Sequence, residues 1–230
     1  LTLGFTEVDA VETLLVEWLP VGILGDELRE WLDGVAGRVP EGSLRLHLPL
    51  AGGEARIAPS FGLDLSIRDG RLPFDPAWPA LEAVEGHLSL RDTRLEARVE
   101  RAESLGVTAR DGRVRLADER LEVEGELAAS AQALRDYLQA LPVEGIEAVA
   151  DWQGEGRAEG QLALSLPLGD PEALALDIDT QVDLARLEYR PLELVFRDLS
   201  GPLAWRQRGE EGGLEGRIEG RVLGGPVRAD

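Results

Sequence analysis

The chain has 230 residues, enough to bury a sizeable core as one domain or two. Its formal charge is −20, from 44 acidic against 24 basic residues, and all 24 are Arg. Such a field repels nucleic acid and disfavours a lasting dock on an anionic bilayer surface, because both depend on neutralising phosphates. The lack of any Cys excludes disulfides and thiolate metal sites.

The chain opens in mid-pattern at Leu1-Thr2-Leu3, with no initiator Met and no signal peptide, and reads as a piece of a longer protein. No run of about 18 apolar residues could span a membrane. Helical periodicity follows. Asp9 with Glu12 forms a capping-box pattern, Leu14, Leu15, Trp18 and Leu19 make an apolar face, and Pro20 ends it. A second helix is predicted from Asp26, with Leu28, Trp31, Leu32 and Val35 at helical spacing and Gly37 as its stop.

From Ser43 the period changes to two. Leu44-Arg45-Leu46-His47-Leu48, Leu63-Asp64-Leu65-Ser66-Ile67, Leu95-Glu96-Ala97-Arg98-Val99 and Leu121-Glu122-Val123-Glu124 all alternate. Asp69-Gly70 and Asp111-Gly112 read as tight turns between such strands, which have one oily and one charged face. A short helix is predicted over 130–141, with Leu134, Tyr137, Leu138 and Leu141 on one side and Pro142 closing it. Strands resume near Gln153 and continue to the end.

The strand regions also repeat. Leu46-His47-Leu48-Pro49-Leu50 recurs as Leu164-Ser165-Leu166-Pro167-Leu168, Leu95-Glu96-Ala97-Arg98-Val99 as Leu214-Glu215-Gly216-Arg217-Ile218, and Leu105-Gly106 as Leu223-Gly224. Common order and nearly common spacing imply units of several strands each. Four segments result: an N-terminal strand and helical segment over 1–41, a first sheet unit over 42–129, an inserted helix and linker over 130–152, and a second sheet unit over 153–230.

Nothing in the sequence assembles a catalytic constellation. His47 and His87 sit in alternating strands and read as solvent-face residues. Gly154, Gly156 and Gly160 miss the dinucleotide-binding spacing and read as strand and turn glycines. Asp177, Asp179 and Asp183 share a strand face but fail the calcium-loop pattern at Gln181 and Val182. Glu122 with Glu124 reads as a solvated face. The expectation is therefore no enzyme, no metal and no cofactor.

The stretch Leu72-Pro73-Phe74-Asp75-Pro76-Ala77-Trp78-Pro79-Ala80-Leu81, leading into Val84-Glu85-Gly86-His87-Leu88-Ser89-Leu90, resembles a strand–corner–strand pattern of the YhdP-type branch of the AsmA-like superfamily. Ala77 stands where that pattern has Gly. Trp18-Leu19-Pro20 with Leu28-Arg29-Glu30-Trp31-Leu32 resembles the family's helical segment, and Leu134-Arg135-Asp136-Tyr137-Leu138 its inserted helix. Leu199-Ser200-Gly201-Pro202-Leu203 through Leu223-Gly224-Gly225-Pro226-Val227 resembles its recurring ending. The resemblance implies an extended, curled antiparallel β-groove in the Gram-negative periplasm, held to the inner membrane by a segment outside this chain. It also implies a conduit moving phospholipid between inner and outer membranes.

Alternation alone favours a closed β-sandwich core, and with it a scaffold that binds a protein partner through an edge strand. The resemblance favours an open groove instead. Its expected lipid-contacting residues are Leu46, Leu65, Leu90, Val99, Leu116, Leu164, Leu176, Leu184 and Leu194. The expected partners are phospholipid acyl chains and flanking segments of the full-length protein. No nucleic acid is expected, and membrane contact falls to parts outside this chain.

Overall fold

The computed structural model describes residues 1–8, 36–47, 60–73, 78–141 and 146–229. The helices expected between residues 9 and 36, and Phe74–Ala77 of the corner motif, lie outside the described residues. The period-two segments form thirteen strands: β1 (Thr2–Val8), β2 (Ala36–His47), β3 (Ser60–Leu72), β4 (Leu81–Arg91), β5 (Arg94–Ser104), β6 (Val107–Ala117), β7 (Arg120–Ser130), β8 (Trp152–Pro167), β9 (Ala175–Tyr189), β10 (Leu194–Arg208), β11 (Glu211–Gly216), β12 (Ile218–Val222) and β13 (Gly225–Ala229).

Neighbouring strands pair antiparallel, giving one open, curled sheet in the order β1 to β10, then β12 and β13, with β11 also on β10. Strands β11 and β12 both pair with β10 and are halves of one strand, parted at Arg217, whose N–H donates to the Pro202 carbonyl at 3.0 Å. One α-helix is described, α1 (Ala131–Gln139). It is inserted between β7 and β8 without interrupting the sheet, since those two strands pair from Arg120↔Pro167 to Ser130↔Arg157.

Two readings of the sequence change. The first long strand begins at Ala36 rather than Ser43, because residues 36–42 join the ladder through irregular register and so lack clean alternation. Asp69-Gly70 and Asp111-Gly112 are not turns. Both lie inside strands, β3 and β6, where Asp69 and Asp111 take φ near 50° at shifts of register. An Asp in the left-handed region followed by Gly suits a hairpin turn and a β-bulge equally, and only pairing across the sheet decides between them. Two-residue turns stand instead at Asp92-Thr93, Leu105-Gly106, Asp118-Glu119, Gly209-Glu210 and Leu223-Gly224.

The bulges explain the curl, because each bends its strand and adds local twist. They interrupt the ladder at Arg38–Gly42 in β2, Ile67–Gly70 in β3, Glu82–Glu85 in β4 and Arg110–Arg113 in β6. They recur at Glu155–Gly156 in β8 and Arg197–Ser200 in β10. The sequence repeat falls on matching elements: the β2 end on the β8 end, β5 on β11 with β12, and the Leu105-Gly106 turn on Leu223-Gly224. The unit of repetition is thus six strands.

Helix α1 begins where the Ser130 hydroxyl accepts from the Ala133 N–H at 3.1 Å. Its Leu134, Tyr137 and Leu138 are half-buried, and burial pushes the Tyr137 hydroxyl above its ordinary pKa. A compact core exists at one end of the sheet, where Val39, Leu44, Phe61, Leu63 and Leu65 pack with Leu3, Phe5, Leu46, Leu88 and Leu90.

On the opposite face, charged side chains pair across strands. Arg91 donates to both oxygens of Asp64 at 2.9 Å, and Arg45 reaches Asp64 at 3.3 Å. Burial pushes the Asp64 carboxyl up, but hydrogen bonds from Arg91 and Ser89 and the charges of Arg91 and Arg45 outweigh it, so the carboxyl sits below its ordinary value. A lowered native pKa stabilises the fold above about pH 4 and stops doing so as pH falls through that lowered value. Asp64→Asn should therefore cost about 1 kcal/mol at neutral pH and flatten the acid limb of stability. Urea unfolding from pH 7 to pH 2 checks both, and parallel acid limbs for variant and parent would refute it.

Candidate functional site

In an antiparallel ladder directly opposed residues share a face. Leu44, Leu63, Leu90, Leu95, Leu116, Leu121 and Leu166 are opposed in series from β2 to β8, so they form one row. A parallel row continues the oily face through Leu162, Ile178, Trp205 and Leu214 from β8 to β11. The phase survives each bulge. In β9, Leu184 is opposed to Leu199 and, beyond the bulge, Leu187 is opposed to Phe196. Among the register-paired positions from β2 to β13, no charged side chain falls on this face. Its polar members are few, Thr180, Gln207 and Tyr189 among them.

All nine residues singled out from the sequence share this face. Leu46 is opposed to Phe61, Leu65 to Leu88, Leu90 to Leu95, Val99 to Gly86 and Leu116 to Leu121. Leu164 is opposed to Leu176, Leu184 to Leu199 and Leu194 to Tyr189. Their burial differs. Leu65 is 1% exposed and belongs to the compact end, with Leu46 and Leu90 packed against it. Val99, Leu116, Leu164, Leu176, Leu184 and Leu194 are only half-buried.

Two features of this face went unnamed in the sequence reading of the site. Trp205 and Leu214, directly opposed, are 37% and 63% exposed. Trp152 stacks near Tyr189 with ring centroids 4.8 Å apart, and near Phe196 at 6.1 Å. The signal for Trp205 was present, since Leu203-Ala204-Trp205 continues the alternation, but a single strand does not reveal which oily positions lack a cover.

The total accessible surface is 15126 Å². A compact protein of 24.9 kDa would expose about 10,000 Å². A single-layer sheet leaves more surface open than a compact fold does, and Trp205 and Leu214 stand exposed on its apolar face. Among the described residues, α1 is the element that packs onto the sheet, chiefly against β8. Near its start, Ala131 lies so close to Gly154 that a Cβ there would press on it.

The polar face carries the remaining candidates. His47 and His87 are exposed on β2 and β4. Arg208 and Arg206 engage Asp177, and Arg206 also engages Asp179, while Glu122 pairs with Arg115 at 3.3 Å. Gly156 takes φ of 136° at the β8 bulge, a backbone role that needs no ligand. A shallow hollow of about 560 Å³ on this side is lined by Glu159, Gln161, Asp179 and Gln181 together with Pro202 and Ala204.

Leu65 and Leu214 offer a direct test of an uncovered face. Leu65→Ala should cost about 3 kcal/mol, as a buried truncation does. Leu214→Ala should stay within about 0.5 kcal/mol. Denaturant unfolding compares them, and equal losses would mean the face is covered along its whole length.

No helix among the described residues is long and apolar enough to cross a membrane. Neither a curated protein nor a solved structure matches the chain. The family described as YhdP protein matches residues 1–230. An alternating single-layer sheet of six-strand repeats, with its helix inserted at one edge, thus comes with a family match over the whole chain: it belongs to the YhdP family of bacterial envelope proteins.

Proposed function

We propose that this chain is one section of a periplasmic conduit that shelters phospholipid acyl chains between the inner and outer membranes, without performing chemistry. The observation that carries the reading is the continuous uncharged face, most of whose positions from β4 to β13 are half-open. Membership of a family with a lipid-transport role supports it. Each acyl CH₂ exposed to water costs about 0.8 kcal/mol, so a 16-carbon tail crossing water bare would cost on the order of 12 kcal/mol. A lining of Leu, Val and Ile offsets that cost without directional bonds that would hold the lipid in place. Neighbouring strands lie about 4.8 Å apart, so from β4 to β13 the sheet offers such a path over roughly 40 Å. Flanking segments of the longer protein would extend it and anchor it to the inner membrane.

Leu176→Asp would set an ion beside the passing tail, where the tail cannot solvate it. We expect it to block lipid passage in the full-length protein. Asp177→Ala, on the opposite face, should leave passage unchanged. Circular dichroism must show both variants folded. A photo-crosslinker at 176 should capture phospholipid in cells, and one at 177 should not. Equal capture at both would refute the face assignment, and capture at neither would refute the conduit in favour of a protein-binding scaffold.

A further inference from the structure

The two long lips of the groove, formed by opposite ends of the strands, are chemically unlike. On one lip the described connections are Leu105-Gly106, α1 with the short helix Ile146–Asp151, Arg190–Glu193 and Leu223-Gly224. On the other they are Asp92-Thr93, Asp118-Glu119, residues 168–174 and Gly209-Glu210.

Turn chemistry does not explain the first lip. Leu105 and Leu223 take φ of 46° and 50°, each followed by a Gly at 80° and 82°. That first position of a two-residue hairpin favours Asn, Asp or Gly, and a branched apolar side chain there is strained. The opposite lip obeys the preference, with Asp92 and Asp118 both at φ of 52°. Burial does not compensate the leucines, which are 52% and 87% exposed, and Leu192 on the same lip is 66% exposed. Residues kept in a strained conformation without local benefit point to function.

The second lip is acidic. Asp118, Glu119, Asp170, Glu172 and Glu210 are exposed along it, with Leu168 the exposed apolar residue among them. The nearby arginines do not balance these five acids. Arg91 is drawn to Asp64 and Arg208 to Asp177, both on the polar face, which leaves Arg94 and Arg120, the latter donating to the neutral Ser165 hydroxyl.

We propose that the mouth of the groove is polarised, with lipid tails entering under the leucine lip and the headgroup carried over the acidic lip. The inference rests on the lipid-conduit reading and adds to it the class of lipid. A headgroup bearing an ammonium, as in a phosphoethanolamine lipid, finds carboxylates there and a net charge of −20 behind them. A net-anionic phosphoglycerol headgroup meets the same field as repulsion, and among the described residues of the lip only Arg94 and Arg120 stand against its acids. The leucines shield the first methylenes while the headgroup stays wet.

The test offers the chain vesicles of equal phosphatidylethanolamine and phosphatidylglycerol with identical acyl chains. Protein is then separated from the vesicles and the extracted lipid is quantified by mass spectrometry. At low salt the ethanolamine lipid should be enriched about fivefold, the Boltzmann weight of one contact ion pair in water. The enrichment should fall toward one in 1 M salt, where the Debye length is about 3 Å. It should also fall toward one in Asp118→Asn/Glu119→Gln, which removes both charges and keeps an Asn at the positive-φ turn position that favours it. Leu105→Ser/Leu223→Ser should lower total lipid loaded while leaving the ratio unchanged. An unbiased ratio in the parent chain, or a bias indifferent to salt and to the acidic turn, overturns the polarised mouth and leaves the conduit standing. No lipid of either kind on the chain overturns the conduit itself.

Discussion

Opposed residues of an antiparallel ladder share a face, so a two-residue period yields one oily surface only if every strand keeps the same phase. Here the phase holds from β2 to β13, and the bulges are part of what keeps it. An extra residue on one strand would turn everything beyond it inside out unless its neighbours shift as well. Leu184 and Leu187 stand three apart in β9, yet both remain on the apolar face, because Asp198 is the matching extra residue in β10. The crease and the unbroken oily lining thus come from the same residues.

A single layer with an uncovered apolar face is an unusual solution for a chain in water. Most domains bury such a face under a second layer. This chain gathers its buried cluster at the β1–β4 end, around Leu65 and Val39, and farther along buries single positions such as Ala102, Ala158, Val182 and Leu199 while most of the face stays half-open. What the inner face lacks in cover, the outer face supplies in hydration. Within the strands the charged residues, acids and their arginine partners, stand on the alternate positions, and the net charge of the chain opposes association of one oily face with another. The ladder itself is sustained by backbone pairing along strands of up to 16 residues, as in β8.

Repetition gives the architecture its length. With six strands per unit, β8 stands to β7 as β2 stands to β1, and the inserted helix occupies a connection rather than a place in the sheet. Each added unit lengthens the lining without changing its cross-section, which suits a conduit better than a closed binding pocket. The glycines follow the crease. At Gly86 a Cβ would run into the Arg98 carbonyl, and at Gly160 into that of Asp179. The concave side is therefore too tight there for any side chain.

Alternation, the helix at Ser130, the repeat spacing and the face shared by Leu46 through Leu194 could all be read in the sequence. Each is local, or follows from a period that one strand carries by itself. The start of β2 at Ala36 and the bulged identity of Asp69-Gly70 and Asp111-Gly112 could not, since a bulge is defined by a partner strand far away in the chain. Nor could the sequence rank Leu65 against Leu214, two leucines in similar alternating runs, one 1% exposed and the other 63%. Burial depends on what lies across the face, and only the tertiary structure shows that a core covers one end and little covers the other. The unlike lips were hidden for the same reason: Leu105, Leu192 and Leu223 are scattered in sequence, and they fall on one edge only because every second hairpin of a meander turns at the same side.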